Sequence, residues 1–278
     1  MLLRTLLPRR PLLAAAILSA GLAQAAFSQA ALAQAPSLDV PYVPTPESVV
    51  DRMLELADVK ATDYVVDLGS GDGRMPIRAA QKYGARGLGV DLNPQRVQEA
   101  NENAKTAGVT DKVEFRVGDL YETPLDERVN VMTMYLLTRV NADLRPRILN
   151  GLKPGTRVVS HAFNMGDWTP DRAEKVDGRD VYFWIVPAKV DGRWQMKAGN
   201  DEILLDMTQQ FQKVQGVARL NGRYHTLQSV TLRGDEISFA IEPREGPARR
   251  FTGRVGPGGI EGTQTDGAAW SARRAAAS

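Results

Sequence analysis

Apolar and polar positions follow two rhythms along this chain. From residue 46 to about 163, short apolar runs alternate with helical periods. Val49, Val50, Met53, Leu54 and Ala57 recur at helical spacing, behind Thr45 as N-cap and Pro46 in the first turn. Residues 64–68 form an apolar run ending in glycines, the pattern of a strand buried on both faces. A helix over 75–83 stops at Gly84, and a second strand over 87–90 runs into Asp91. Asn93 caps, and Pro94 begins, a helix reaching Gly108. Strands over 113–117 and 129–135 follow, then a helix around 142–149 and a strand over 157–163. Strands separated by helices of this length predict right-handed crossovers and a doubly wound parallel sheet.

After Asp171 the helical periods stop. Residues 181–187 and 193–197 predict a hairpin around Asp191-Gly192. Runs over 202–208, 211–220, 226–232, 236–241, 251–255 and 268–273 are divided by Gly, Asn, Asp or Pro turns. The expected fold class is therefore α/β. A Rossmann-like doubly wound sheet covers residues 36–198, and a small antiparallel β module covers 199–278. Tyr182, Phe183 and Trp184 read as the core of a strand pair, and the arginines at 249, 250, 273 and 274 as a solvated face.

Residues 1–35 fit neither rhythm. Arg4, Arg9 and Arg10 precede an apolar Ala- and Leu-rich stretch over 12–26, and A-x-A sites end at Ala25 and Ala35. That is the layout of a signal peptide, so the expected destination is the periplasm or the exterior. Arg9-Arg10 fits either the plain positive start of a signal peptide or a twin-arginine route. The alternative is an uncleaved leader acting as membrane anchor, although the run is short for a span. After leader cleavage no stable membrane span is expected. The chain carries 35 basic and 33 acidic side chains, a balance that argues against a nucleic-acid partner. With no cysteine and two histidines, a disulfide, a thiol nucleophile and a metal centre are all poor expectations.

The strongest chemical signal is Val65-Val66-Asp67-Leu68-Gly69-Ser70-Gly71-Asp72-Gly73-Arg74, a strand running through a glycine turn into a helix. Glycines there allow positive φ and a close ligand approach. Asp91, at the end of the next strand, can accept hydrogen bonds from two ribose hydroxyls. Dinucleotide sites read G-x-G-x-x-G, whereas this turn reads G-x-G-x-G between Asp67 and Asp72. Two carboxylates would repel a pyrophosphate and suit a cationic, phosphate-free ligand such as S-adenosylmethionine. Asp119, in Gly118-Asp119-Leu120, can accept from an adenine amino group while Leu120 packs on the ring.

These motifs resemble the class I, seven-β-strand S-adenosylmethionine-dependent methyltransferases. Pro41-Tyr42-Val43-Pro44-Thr45-Pro46, Asp91-Leu92-Asn93-Pro94, Tyr135-Leu136-Leu137 and Gly166-Asp167-Trp168 narrow the likeness. Together they are similar to the group containing the ATP synthase c-subunit lysine N-methyltransferase and its bacterial relatives. The resemblance covers roughly residues 40–172. It implies cofactor contacts at Thr45, Asp67, Gly69, Ser70, Gly71, Asp91, Leu92, Asn93, Asp119 and Leu120. It also implies a protein lysine as acceptor, methylated by in-line transfer. Tyr135 is the expected catalytic residue, orienting an amine by its ring or hydroxyl; an ordinary half-buried tyrosine is the competing reading. Asp167 and Trp168 are expected to shape the same mouth. His161 reads as a hydrogen-bonded structural histidine. Two other functions stay open: a non-catalytic nucleoside-binding or interaction module of the envelope, and an NAD-dependent oxidoreductase. The turn spacing, and the lack of a Tyr-x-x-x-Lys or His pattern, disfavours the oxidoreductase.

Overall fold

The computed structural model describes residues 42–243 and 246–275, and the expected leader over 1–35 lies outside them. The described residues fall within one compact unit. Seven strands build the first sheet: β1 (Tyr64–Leu68), β2 (Arg86–Asp91), β3 (Val113–Val117), β4 (Val131–Met134), β5 (Arg157–His161), β6 (Arg172–Val176) and β7 (Arg179–Ile185). Their order is β3-β2-β1-β4-β5-β7-β6. The first five are parallel, and β7 runs antiparallel to both β5 and β6. The helices are α1 (Glu47–Leu56), α2 (Arg74–Tyr83), α3 (Pro94–Thr106) and α4 (Thr138–Gly151). Val65 packs in one core with α1 and α2, and its neighbour Val66 in another with α4. The sheet is therefore covered on both faces, as its continuous apolar runs require.

Strand order reverses between β1 and β4, which opens a crevice at their carboxyl ends. Thr45 is not the N-cap of α1. Pro46 takes that position without a side-chain cap, and the Thr45 hydroxyl turns instead to His161 Nδ1 at 3.1 Å. Asn93 caps α3 as expected, accepting from the Gln95 amide at 2.9 Å.

The hairpin expected around Asp191-Gly192 does not form. β7 pairs with β6 through Asp177 (φ 49°) and Gly178 (φ 78°), the left-handed pair that a tight hairpin turn needs. Its partner reads RAEKV, a charged edge strand with no apolar alternation to betray it. Residues 192–198 belong to the second sheet, so the first sheet ends at Ile185 rather than near 198.

The second sheet comprises β8 (Gly192–Ala198), β9 (Asp201–Gln210), β10 (Lys213–Leu220), β11 (Arg223–Thr226), β12 (Gln228–Arg233), β13 (Glu236–Ile241), β14 (Arg249–Gly256), β15 (Gly259–Gln264) and β16 (Ala269–Arg274). Its order is β11-β10-β9-β8-β16-β15-β14-β13-β12, antiparallel throughout. Trp194, Phe239, Phe251 and Trp270 share one core on its inner face. Leu227, just beyond β11, continues the β10–β11 ladder by donating its amide to the Gly216 carbonyl at 2.9 Å. The apolar pattern does not reveal β15, because glycine interrupts it. A Cβ at Gly262 would stand 1.9 Å from the Thr252 carbonyl oxygen, so the close strand approach there requires glycine.

Candidate functional site

A cleft with an internal volume of about 150 Å³, open to solvent, lies at the carboxyl ends of β1, β2 and β4. Thr45, Asp67, Gly69, Ser70, Gly71, Asp91, Leu92, Asn93, Asp119, Leu120 and Tyr135 all line it. The structure thus brings every cofactor-site residue expected from sequence, and Tyr135, into one cavity.

The glycine turn is pinned to the end of β2. Gly69 and Ser70 donate their amides to the Val90 carbonyl at 2.8 and 3.0 Å. Gly69 and Gly71 have φ of 76° and 52°. A Cβ at Gly71 would stand 2.5 Å from the Tyr42 ring. Asp91 closes the arrangement: Oδ2 accepts from the Gly71 amide at 2.8 Å and Oδ1 from the Asn93 amide at 2.9 Å. Each oxygen retains a lone pair for a further donor, such as a ribose hydroxyl.

Asp67 is 5% exposed and accepts from the Thr133 hydroxyl at 2.7 Å. Burial pushes its carboxyl up to about 7 despite that bond, with the charges of Asp91 and Asp72 adding to the shift. Burial also opposes ionisation of Asp72, but the Arg74 guanidinium outweighs it and holds that carboxyl below its ordinary range. Arg74 reaches onward to the Thr45 carbonyl at 2.6 Å. Asp119 is exposed and turns one oxygen to the Tyr121 amide at 2.7 Å, while Leu120 packs on the α4-side core.

Tyr135 is half-buried between two rings. His161 lies 3.9 Å away, centroid to centroid, and Phe163 stacks at 5.9 Å with 27° between planes. His161 is 1% exposed, and burial lowers its pKa to about 4, with the charge of Arg179 acting in the same sense. It is therefore neutral near pH 7, as a structural histidine held by Thr45. Asp167 and Trp168, expected to shape the mouth, do not line the cleft; Trp168 is a fully buried core residue. The sequence assigns no role to Tyr42, Arg74 or Arg96, which also line the cavity. The signal is present in Tyr42-Val43-Pro44 and Gly73-Arg74, but nothing local says that Tyr42 folds over the glycine turn. Arg96 stacks on the Tyr42 ring at 4.5 Å and fixes that cover.

The cleft's chemistry fits a cationic nucleoside cofactor. Four carboxylates line it, glycines bring backbone to its floor, and the Ser70 hydroxyl is buried with no partner. Among the described residues no acidic or histidine cluster could hold a metal ion.

Comparison with known proteins bears on this arrangement. The ANTKMT methyltransferase domain matches residues 67–172. Over 152 residues the chain is 45% identical to a protein-lysine N-methyltransferase of Saccharolobus islandicus, covering 53% of this chain and 94% of that protein. It is 33% identical over 132 residues to the ATP synthase c-subunit lysine N-methyltransferase of Xenopus laevis. That match covers 48% of this chain and only 57% of the relative's length. The crystal structure of an RNA methyltransferase from Salinibacter ruber, in complex with S-adenosyl-L-homocysteine, is 55% identical. It aligns with a TM-score of 0.52 over 53% of this chain and 96% of that one.

Proposed function

The chain belongs to the ANTKMT methyltransferase family of S-adenosylmethionine-dependent enzymes, and from that premise we propose that it methylates the side-chain amine of a protein lysine. The observation that carries this reading is the character of the cleft. Asp67, Asp72, Asp91 and Asp119 line it, and Tyr135 stands in it, flanked by the neutral His161 and by Phe163. The carboxylates suit the cofactor's cationic groups, and the aromatic, uncharged surroundings of Tyr135 suit a neutral amine beside them. The names of the Saccharolobus and Xenopus relatives point the same way.

Bound there, S-adenosylmethionine supplies an electrophilic methyl group; we propose that an amine lone pair takes it in line, leaving S-adenosylhomocysteine. The chain's own part is position and electrostatics. Asp91 offers its two remaining lone pairs to ribose hydroxyls. Asp67, the deepest carboxylate, faces the cofactor's cationic groups. Tyr135 orients the entering amine, whose surplus proton leaves to solvent. His161, uncharged behind Tyr135, puts no positive charge against the entering group.

The likeness to the Salinibacter RNA methyltransferase favours a second reading, an RNA acceptor. Incubating the protein and methyl-labelled cofactor with an extract of cells lacking its gene separates the two. Label released by protease and resistant to ribonuclease supports a protein acceptor; label released by ribonuclease alone overturns it. The proposal extends to location. Residues 1–35 would direct the enzyme to the periplasm or exterior, or hold it to the membrane if uncleaved. N-terminal sequencing of the cell-derived protein tests this: a start between residues 26 and 36 supports export with cleavage, and an intact N-terminus in the cytosol overturns it.

A further inference from the structure

We propose that Phe211-Gln212, the tip of the β9–β10 hairpin, positions the acceptor-side loop between β5 and β6, so that the second sheet governs acceptor binding. The tip is built unlike an ordinary turn. Phe211 carries φ of 55°, a left-handed conformation rare for a bulky side chain. Gln209 supports it: Nε2 donates to the Phe211 carbonyl at 2.7 Å and to the Ala188 carbonyl at 2.8 Å, and Oε1 accepts from the Val190 amide at 2.7 Å.

What this braced tip grips is Trp168. The two rings stack at 5.7 Å with 18° between planes. The indole N–H of Trp168 donates to Gln212 Oε1 at 2.9 Å, and Gln212 Nε2 donates to the Thr169 carbonyl at 2.8 Å. Arg145 of α4 covers the other part of Phe211 at 5.2 Å, donates to the Met165 carbonyl at 2.7 Å and pairs with Asp167. Trp168 is fully buried, so the loop cannot shift without exposing two rings and stranding the indole N–H.

The same loop ends at the acceptor side of the cleft. Ala162 is left-handed at φ 61°, and Phe163, next to it, stacks on Tyr135. Asn141 of α4 holds the Phe163 and Asn164 carbonyls at 3.0 and 3.2 Å. A continuous set of contacts therefore runs from the second sheet to Tyr135, while the Asp91 side of the cleft is untouched by it. The family match ends at residue 172, and β8 begins at 192, so this support comes from outside the matched methyltransferase domain.

The kinetic arm of the test rests on the lysine reading above; the exchange arm does not. The full chain is compared with Phe211→Ala and Gln212→Ala, and with Phe211→Tyr as the conservative rescue. Amide exchange over residues 162–171 is expected to quicken about tenfold or more in the alanine variants, with the glycine turn unchanged. S-adenosylhomocysteine affinity by calorimetry should stay within about twofold. Against a panel of lysine peptides, KM should rise about tenfold with kcat within about twofold, and Phe211→Tyr should restore it. Unchanged exchange over 162–171, or cofactor affinity falling in step with KM, overturns the proposal. If no form methylates any peptide, the lysine reading fails by itself and the exchange result decides this inference.

Discussion

Replacing Asp67 by asparagine should stabilise the ligand-free protein and weaken its cofactor binding, the first effect only at higher pH. Asp67 is 5% exposed, and burial, with Asp91 and Asp72 nearby, lifts its carboxyl from 3.8 to about 7. At about 1.4 kcal/mol per pH unit, holding it ionised in the fold is unfavourable by about 4 kcal/mol. Between those two pKa values the folded protein retains a proton that the unfolded chain has released. The contribution of Asp67 to stability therefore falls as pH rises through that window and is lowest above about 7. An asparagine carbonyl can take the same bond from Thr133, 2.7 Å in the native site, with no charge to desolvate. Thermal unfolding at about pH 8 should shift upward by about 2–4 °C per kcal/mol recovered, while at about pH 4 the two proteins should nearly coincide. Calorimetry should show S-adenosylhomocysteine binding at least about tenfold weaker, as expected from losing a charged hydrogen bond of about 1.5–3 kcal/mol. An equal melting gain at both pH values, or a loss at about pH 8, would show that burial does not hold the Asp67 carboxyl above its ordinary range.

Three further outcomes follow from the same geometry. Asp91→Ala frees the Gly71 and Asn93 amides and removes the ribose acceptor, so S-adenosylhomocysteine affinity should fall about 10- to 100-fold by calorimetry. Gly71→Ala forces a side chain into φ +52° and against the Tyr42 ring, which should lower stability by about 1–2 kcal/mol in chemical denaturation and weaken cofactor binding. His161 is held near pKa 4 by burial, so the unfolded chain takes up its proton first as pH falls below 6.5. Acidification through that window should remove about 3 kcal/mol of stability, and His161→Gln should flatten the slope in pH-dependent unfolding.

Local chemistry made the cofactor half of the site legible. A strand, a glycine turn and a helix cap lie close together in sequence, and Asp91 and Asn93 sit where strand β2 gives way to α3. Asn93 caps α3 from within its own turn and Asp91 accepts from the Asn93 amide two residues on, while its other oxygen reaches the Gly71 amide on the neighbouring strand end. The rest depends on long-range contacts that no local pattern encodes. Thr45 looks like an N-cap until the fold places His161 beside it. The strand Arg172–Val176 hides behind its charges, and β15 behind its glycines. Arg274 reads as a surface charge, yet it clamps the carbonyls of Lys189 and Asp191 at 2.8 and 2.7 Å. Phe211 and Gln212 read as part of a strand, and only the docking of two sheets gives them a partner in Trp168.

Whether this cleft delivers a methyl group to a protein lysine is read by tandem mass spectrometry. Proteins from cells lacking the gene are incubated with the purified enzyme and deuterated-methyl cofactor, alongside the Asp91→Ala variant. Deuterated methyl is expected on lysine Nε of a discrete protein, strongly reduced with the variant. Label confined to RNA, or lysine label equally strong with Asp91→Ala, would contradict methyl transfer to lysine from this site.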